Sequence, residues 1–294
     1  MTVLREIHGP AGRLEVLIEG RRPFALAVGL VVPSASHAQD AGGFPPKVRA
    51  VYRISWNGVD LGKFQFSSDL KGGQYTLNGD ARLEAFFGAF HWRGITRSLG
   101  TIAGAGPSPA SYAFSFDGND KRGSVNLNFE GGAVSRVVAV PASGPSPGRV
   151  PVTRAHLQGV LDPLSAIMAI TASKGKRVDG TNPCSRRIPI FDGKQRFDLA
   201  FSFKRTAPLS EIGAKSAHNA FVCRVKYIPI AGYRMNEDMR QMQQASGIEV
   251  WMVPLAEANL FIPYYVLVPL SAGTATLTAD RVNIDTARGR IALQ

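Results

Sequence analysis

The stretch Ile188-Pro189-Ile190-Phe191-Asp192-Gly193-Lys194-Gln195-Arg196-Phe197-Asp198-Leu199 lies between the chain's two cysteines, Cys184 and Cys223. Ile188–Phe191 reads as a strand and Asp192-Gly193 as a turn. Phe197, Leu199, Phe201 and Phe203 then fall on every second position, the period of a half-buried strand. Ala220–Tyr227 is a further strand and carries Cys223. In an exported chain, two cysteines 39 positions apart pair as a disulfide. Closing that loop stabilises by up to about 4 kcal/mol in the chain-entropy model. The alternative is a redox or metal role. It would need a C-x-x-C spacing or more ligands than these cysteines and the later histidines His91, His156 and His218 supply.

Export is read from the first residues. Arg21-Arg22 precede the apolar run Phe24–Val32, followed by Pro33 and the small-residue exit Ser36-His37-Ala38. The run falls short of the roughly 20 residues that span a bilayer. Residues 1–38 therefore read as a cleavable signal, for general secretion rather than the twin-arginine route, because Gly20 stands where that route has a polar residue. The mature chain has no transmembrane segment and is expected in the periplasm. Residues 39–46 form a linker, and 47–294 a single antiparallel β domain.

Net charge is +12 over 294 residues, with mean hydropathy −0.02 and 45% hydrophobic residues, so a core is available and global disorder is excluded. A basic chain is attracted to polyanions. Its cations are scattered, with no long Lys/Arg run and no basic helix face, which argues against nucleic acid. Peripheral contact with an anionic membrane remains compatible with the charge.

Turn signals recur along the rest of the chain: Asn57-Gly58, Gly72-Gly73, Asp117-Gly118-Asn119-Asp120 and Gly131-Gly132. Between them Tyr52, Ile54 and Trp56 alternate, as do Val125, Leu127 and Phe129. His156–Ser173 is the main helix candidate, with Asp162 as N-cap, Pro163 at the first helical position and Leu164, Ile167, Met168 and Thr171 on one face. Lys174-Gly175-Lys176 is its stop signal. Asn236–Ser246 reads as a short helix or a flap, and Pro254–Pro263 as a mobile rim. The expected fold is all-β: one large twisted antiparallel sheet of about 12–14 strands, curled into a roll, spiral or incomplete barrel with one main helix. The breaker-rich Pro141–Pro151 loop is the best place to divide it.

Chemistry is hard to find. Gly144-Pro145-Ser146-Pro147-Gly148 matches G-x-S-x-G in letters, but two prolines prevent the helix a nucleophile elbow requires. Asp192 and Asp198 invite an acid–base reading; a turn residue and an ion-paired carboxylate explain them more simply. No cofactor or metal motif is present. Two aromatic groups remain, Phe86, Phe87, Phe90 and Trp92, and Trp251, Phe261, Tyr264 and Tyr265. Such residues are ordinarily core. Their functional alternative is to line a cavity inside the curled sheet.

The segments Asp162-Pro163-Leu164-Ser165-Ala166, Phe191–Leu199, Ile228-Pro229-Ile230-Ala231-Gly232-Tyr233 and Gly273-Thr274-Ala275-Thr276-Leu277, together with Cys223, resemble the bacterial domain-of-unknown-function family 3108 (DUF3108) across roughly residues 48–285. The resemblance implies an exported envelope protein with a long, strongly twisted antiparallel sheet. The plan is also similar to periplasmic β-spiral proteins of alphaproteobacteria connected with envelope integrity, which carry a disulfide and no established enzymatic activity. It transfers no catalytic residue. The expected function is non-enzymatic binding of a lipid, an envelope glycan or an envelope protein. A hydrolase acting on envelope polymers and a ligand-free scaffold are the alternatives. N-terminal sequencing of the exported protein should begin near Gln39; an intact N-terminus in the membrane fraction would instead mean an anchor.

Overall fold

A computed structural model describes residues 43–293 except 86–88, 105, 120, 143–146, 174–176, 179–180 and 245–246; the side chains of 238, 241 and 242 are not described. The signal at 1–38, most of the linker, Phe86, Phe87, Ser146 and the Lys174-Gly175-Lys176 stop lie outside the described residues.

Seven antiparallel strands run in sequence order, with the glycine signals at the β1–β2, β2–β3, β5–β6 and β6–β7 connections: β1 (Lys47–Trp56), β2 (Val59–Lys71), β3 (Gln74–Ala85), β4 (Phe90–Ala103), β5 (Gly106–Gly118), β6 (Lys121–Glu130) and β7 (Ala133–Val140). Helix α1 (Pro163–Thr171) follows, then β8 (Arg186–Phe191), β9 (Arg196–Pro208), β10 (Asn219–Ala231), helix α2 (Glu237–Gln244), β11 (Glu249–Leu255), β12 (Leu260–Leu270), β13 (Gly273–Thr286) and β14 (Gly289–Leu293). They make one antiparallel sheet, ordered β7-β6-β5-β4-β3-β2-β1-β13-β12-β11-β10-β9-β8, with β14 beside β13. The two halves of the chain meet where β1 pairs with β13, from Lys47↔Asp285 to Trp56↔Ala275. The sheet is not closed into a barrel, since β7 and β8 do not pair with each other.

A short extended segment spans the open edges. Gln158 bridges to Ala133 of β7, and the Gly159 N–H donates to the Gly132 carbonyl at 2.9 Å. Three residues on, Leu161 bridges to Ile190 of β8: its N–H donates to the Pro189 carbonyl, and its carbonyl accepts from the Phe191 N–H, both at 2.9 Å. This corrects the expected helix His156–Ser173. Its first residues form a 3-10 turn, Arg154–Leu157, and then this seam; the α-helix begins only at Pro163. The backbone donors and acceptors of the seam serve the sheet edges, so they cannot make helical bonds. Gly193 ties the same flanks together. A Cβ there would lie 2.2 Å from Val125 Cγ1, so only glycine lets the β8–β9 turn press on β6.

Asp162 ends the seam and starts the helix. One carboxylate oxygen accepts from the Leu164 and Ser165 N–H groups, both at 3.0 Å; the other accepts from Ser98 Oγ at 2.9 Å and Ser165 Oγ at 2.5 Å. Tyr75 extends the network by a 2.8 Å hydroxyl bond to Ser165. Gly100 permits that approach, because a Cβ would meet the Tyr75 hydroxyl at 2.4 Å. Burial pushes the Asp162 carboxyl above its usual range, while the hydrogen bonds to Ser165, Ser98 and the Leu164 N–H pull against it. At the other helix end, buried Arg186 donates to the Ala169 and Ile170 carbonyls at 2.9 and 2.8 Å, a guanidinium placed on the negative end of the helix dipole.

The core lies in three clusters. One surrounds Tyr52, Trp251, Leu260 and Val282; one surrounds the bonded cysteines with Phe201, Val250 and Phe261; one packs α1 against Leu77, Tyr112 and Leu127. Cys184 and Cys223 are bonded, with Cα atoms 5.2 Å apart. Asp192 accepts from the Lys194 and Gln195 N–H groups at 2.8 and 2.7 Å, and Asp198 is ion-paired with Arg187 and Arg196, so neither is an acid–base pair. The expected rim Pro254–Pro263 is a tight hairpin instead. Pro254 pairs with Phe261 and Leu255 with Leu260, because the buried Leu255, Ala258, Leu260 and Phe261 hold it in the core.

Two outcomes follow. Alkylation under non-reducing conditions should find no free thiol, and reduction should lower stability by up to about 4 kcal/mol in denaturant titrations. Asp162→Ala should cost about 1–2 kcal/mol for the lost cap, and more for the stranded Ser98 and Ser165 hydroxyls. Asp162→Asn should cost less. A raised folded pKa means the native state binds this proton more tightly than the unfolded chain, so the group's contribution falls as pH rises above the unfolded value of about 4. The stability difference, wild type minus Asp162→Asn, should therefore shrink as pH rises above about 4 in urea titrations.

Candidate functional site

The three clusters do not fill the interior. Between them lies a cavity of about 430 Å³. Its wall is built by register. Tyr52, Ala50 and Val48 of β1 stand opposite Phe64, Phe66 and Ser68 of β2, and alternation turns all six to one face. On the other half, Leu199 and Phe201 of β9 stand opposite Tyr227 and Val225 of β10, and Val250 of β11 opposite Val266 of β12. Helix α1 closes a further side with Ile167, Met168, Ile170 and Thr171. Among the described residues no charged side chain lines the cavity, and the polar ones are Tyr52, Ser68, Thr171 and Tyr227. Burial raises the phenol pKa of Tyr227, to about 12, and that of Tyr52 as well, so both stay neutral hydroxyls.

The aromatic residues singled out in the sequence that are described, Phe90, Trp92, Trp251, Phe261, Tyr264 and Tyr265, are placed elsewhere. Trp251 is 3% exposed; Tyr265 stands edge-on to it, and the Arg205 guanidinium lies 5.2 Å from its ring. Phe261 is fully buried against Phe221 and Arg186, and Tyr264 is buried in the cluster around Trp251. None of these four is among the cavity-lining residues. Phe90 and Trp92 line a separate hollow of about 260 Å³ at the ends of β4 and β5, with His91, Phe116, Asn119 and Lys121. The cavity is instead lined by aliphatic residues of the alternating strands, by other aromatics among them (Tyr52, Phe64, Phe66, Phe201 and Tyr227), and by the helix face Ile167, Met168 and Thr171. Alternation in Phe197–Phe203 and helical spacing after Pro163 are the sequence signals that could have found it.

Catalytic groups do not converge on the cavity. A buried cluster of hydroxyls with a carboxylate, Tyr75, Ser98, Asp162 and Ser165, is at most 2% exposed and has no imidazole among its described hydrogen-bond partners. His91 and His218 are exposed, and the His218 ring meets only the Ser216 hydroxyl, at 2.7 Å. Among the described residues, no group of three or more His, Cys, Asp or Glu could hold a metal ion, and no helix is long and apolar enough to cross a membrane.

No curated protein matches the chain. Among solved structures it is similar to the crystal structure of a beta-barrel-like protein of domain of unknown function DUF1849 from Brucella abortus. That likeness has 12% identity and a TM-score of 0.46, covering 82% of this chain and 98% of that one. Residues 51–280 match the family described as Protein of unknown function (DUF3108), and the chain belongs to that family.

Proposed function

We propose that this protein is a non-enzymatic, exported protein of the cell envelope that holds a lipid inside its curled sheet. The observation that carries this reading is the cavity. Its volume of about 430 Å³ falls within the usual range of small-molecule sites, about 300–1,000 Å³. Its wall of Val, Leu, Ile, Met and Phe side chains favours an apolar guest, since each buried methylene of a guest contributes about 0.8 kcal/mol. A glycan would need many directed hydrogen bonds, and this wall offers four polar side chains and no charge. The disulfide supports an oxidising compartment, and with the leader-like residues 1–38 supports the periplasm. The basic net charge supports contact with anionic envelope surfaces.

The test is native mass spectrometry of the mature protein purified gently from its own envelope, with organic extraction of anything bound. A stoichiometric lipid is expected. Val266→Phe should fill part of the cavity and lower lipid occupancy at least tenfold, with thermal melts confirming the fold. A clean apo mass, with no uptake of added lipid, would overturn the reading in favour of a scaffold.

A further inference from the structure

The cavity's four polar side chains divide into two kinds. Thr171 Oγ1 donates to the Met168 carbonyl at 2.9 Å, and the Tyr227 hydroxyl donates to Gln195 Oε1 at 3.0 Å. Both are satisfied within the protein. Tyr52 and Ser68 are only 8% and 6% exposed, and neither side chain makes a hydrogen bond among the described residues; their hydroxyls line the cavity and stay reachable by water, unlike the fully enclosed, unpartnered Nε1 of Trp251. Leaving a buried hydroxyl unpaired is unfavourable, and native proteins rarely do so without a water or ligand as partner. The two hydroxyls share one face of the β1–β2 ladder. Tyr52 stands opposite Phe64 and Ser68 opposite Val48, four positions apart or about 13 Å along the strand. Ala50 and Phe66 lie between them, so this wall reads polar, apolar, polar.

The absence of charge among the lining residues bears on the same choice. A carboxylate or phosphate buried here would lose its water and gain no cation, whereas a neutral ester or hydroxyl oxygen would lose little. We infer that the cavity selects a neutral long-chain lipid bearing ester or hydroxyl oxygens, and that Tyr52 and Ser68 are the residues that recognise those oxygens. Tyr52 donates its phenolic proton to a ligand oxygen while its ring packs beside Phe64, with centroids 6.3 Å apart. Ser68 donates to, or accepts from, a second oxygen. This inference rests on the lipid reading and specifies it: hydrocarbon alone would satisfy the apolar wall but leave both hydroxyls unpaired.

The mature protein would be titrated with monoolein, with oleate at pH 8 and with the hydrocarbon squalene, using native mass spectrometry and calorimetry. Monoolein is expected to bind at least tenfold more tightly than oleate. The double variant Tyr52→Phe, Ser68→Ala should weaken monoolein about tenfold, each lost bond accounting for roughly threefold, and should leave squalene unchanged or tighter. Its melting temperature should be equal to or above that of the wild type, because neither hydroxyl bonds to the protein and each is unfavourable to bury unpaired. Equal affinity for oleate and monoolein, or a double variant that binds monoolein as the wild type does, would overturn the inference while leaving the lipid reading intact; the hydroxyls would then serve only cavity water. Failure of all three lipids to bind would overturn both.

Discussion

Asp162 holds this fold together, because one side chain completes both the sheet and the helix. The sheet does not close, and its free edges, β7 and β8, would otherwise be open to wrong pairing. The segment Gln158–Leu161 bridges them, and Asp162 follows at once with four hydrogen bonds. Two of these cap α1, and two tie the helix start to Ser98 of β4 and to its own Ser165. A buried carboxylate is costly without donors. Here the donors come from separate parts of the chain, so the charge is tolerated only when seam, helix and sheet are all in place.

The cavity is a consequence of that arrangement. Helix α1 has nine residues and is about 13 Å long, whereas strands of 10–14 residues extend for roughly 33–46 Å. A helix that short covers only part of the inner face. It packs on β3, β4 and β5, and on β8 and β12, and leaves apolar side chains of β1, β2 and β9–β13 facing one another across open space. Beside that space the cystine ties the residues just before β8 to β10, and the cation–π contact of Arg186 with Phe261 ties β8 to β12. The wall is thus held by interactions that do not depend on filling it.

Charge is handled in opposite ways inside and out. Asp198 is nearly buried and is met by two arginines, and Asp162 is met by hydroxyl and amide donors, while the cavity itself carries no charged group. The remaining ion pairs lie at the surface, among them Arg205–Glu211 and Arg290–Asp285. Charge is thus kept off the described cavity wall and either paired within the core or left at the surface, which is compatible with the proposed apolar guest.

Much of the fold was legible in the chain. Period-2 alternation marked the strands, glycine pairs marked their turns, and Asp162-Pro163 marked the helix start, because these signals act over a few residues through backbone sterics and local hydrogen bonds. The two cysteines, once read as exported, implied their own bond. Tertiary structure alone decided the rest. Residues 158–161 fell inside the helix candidate, yet they became a seam because two distant sheet edges needed their backbone groups. Trp251 and Phe261 look like cavity aromatics, yet they are packed solid, while Val250 and Val266 line the space. The strand pattern tells which residues share a face. Whether that face meets a neighbour, a helix or a void depends on how far the sheet curls and how long the helix is, and those are properties of the assembled chain.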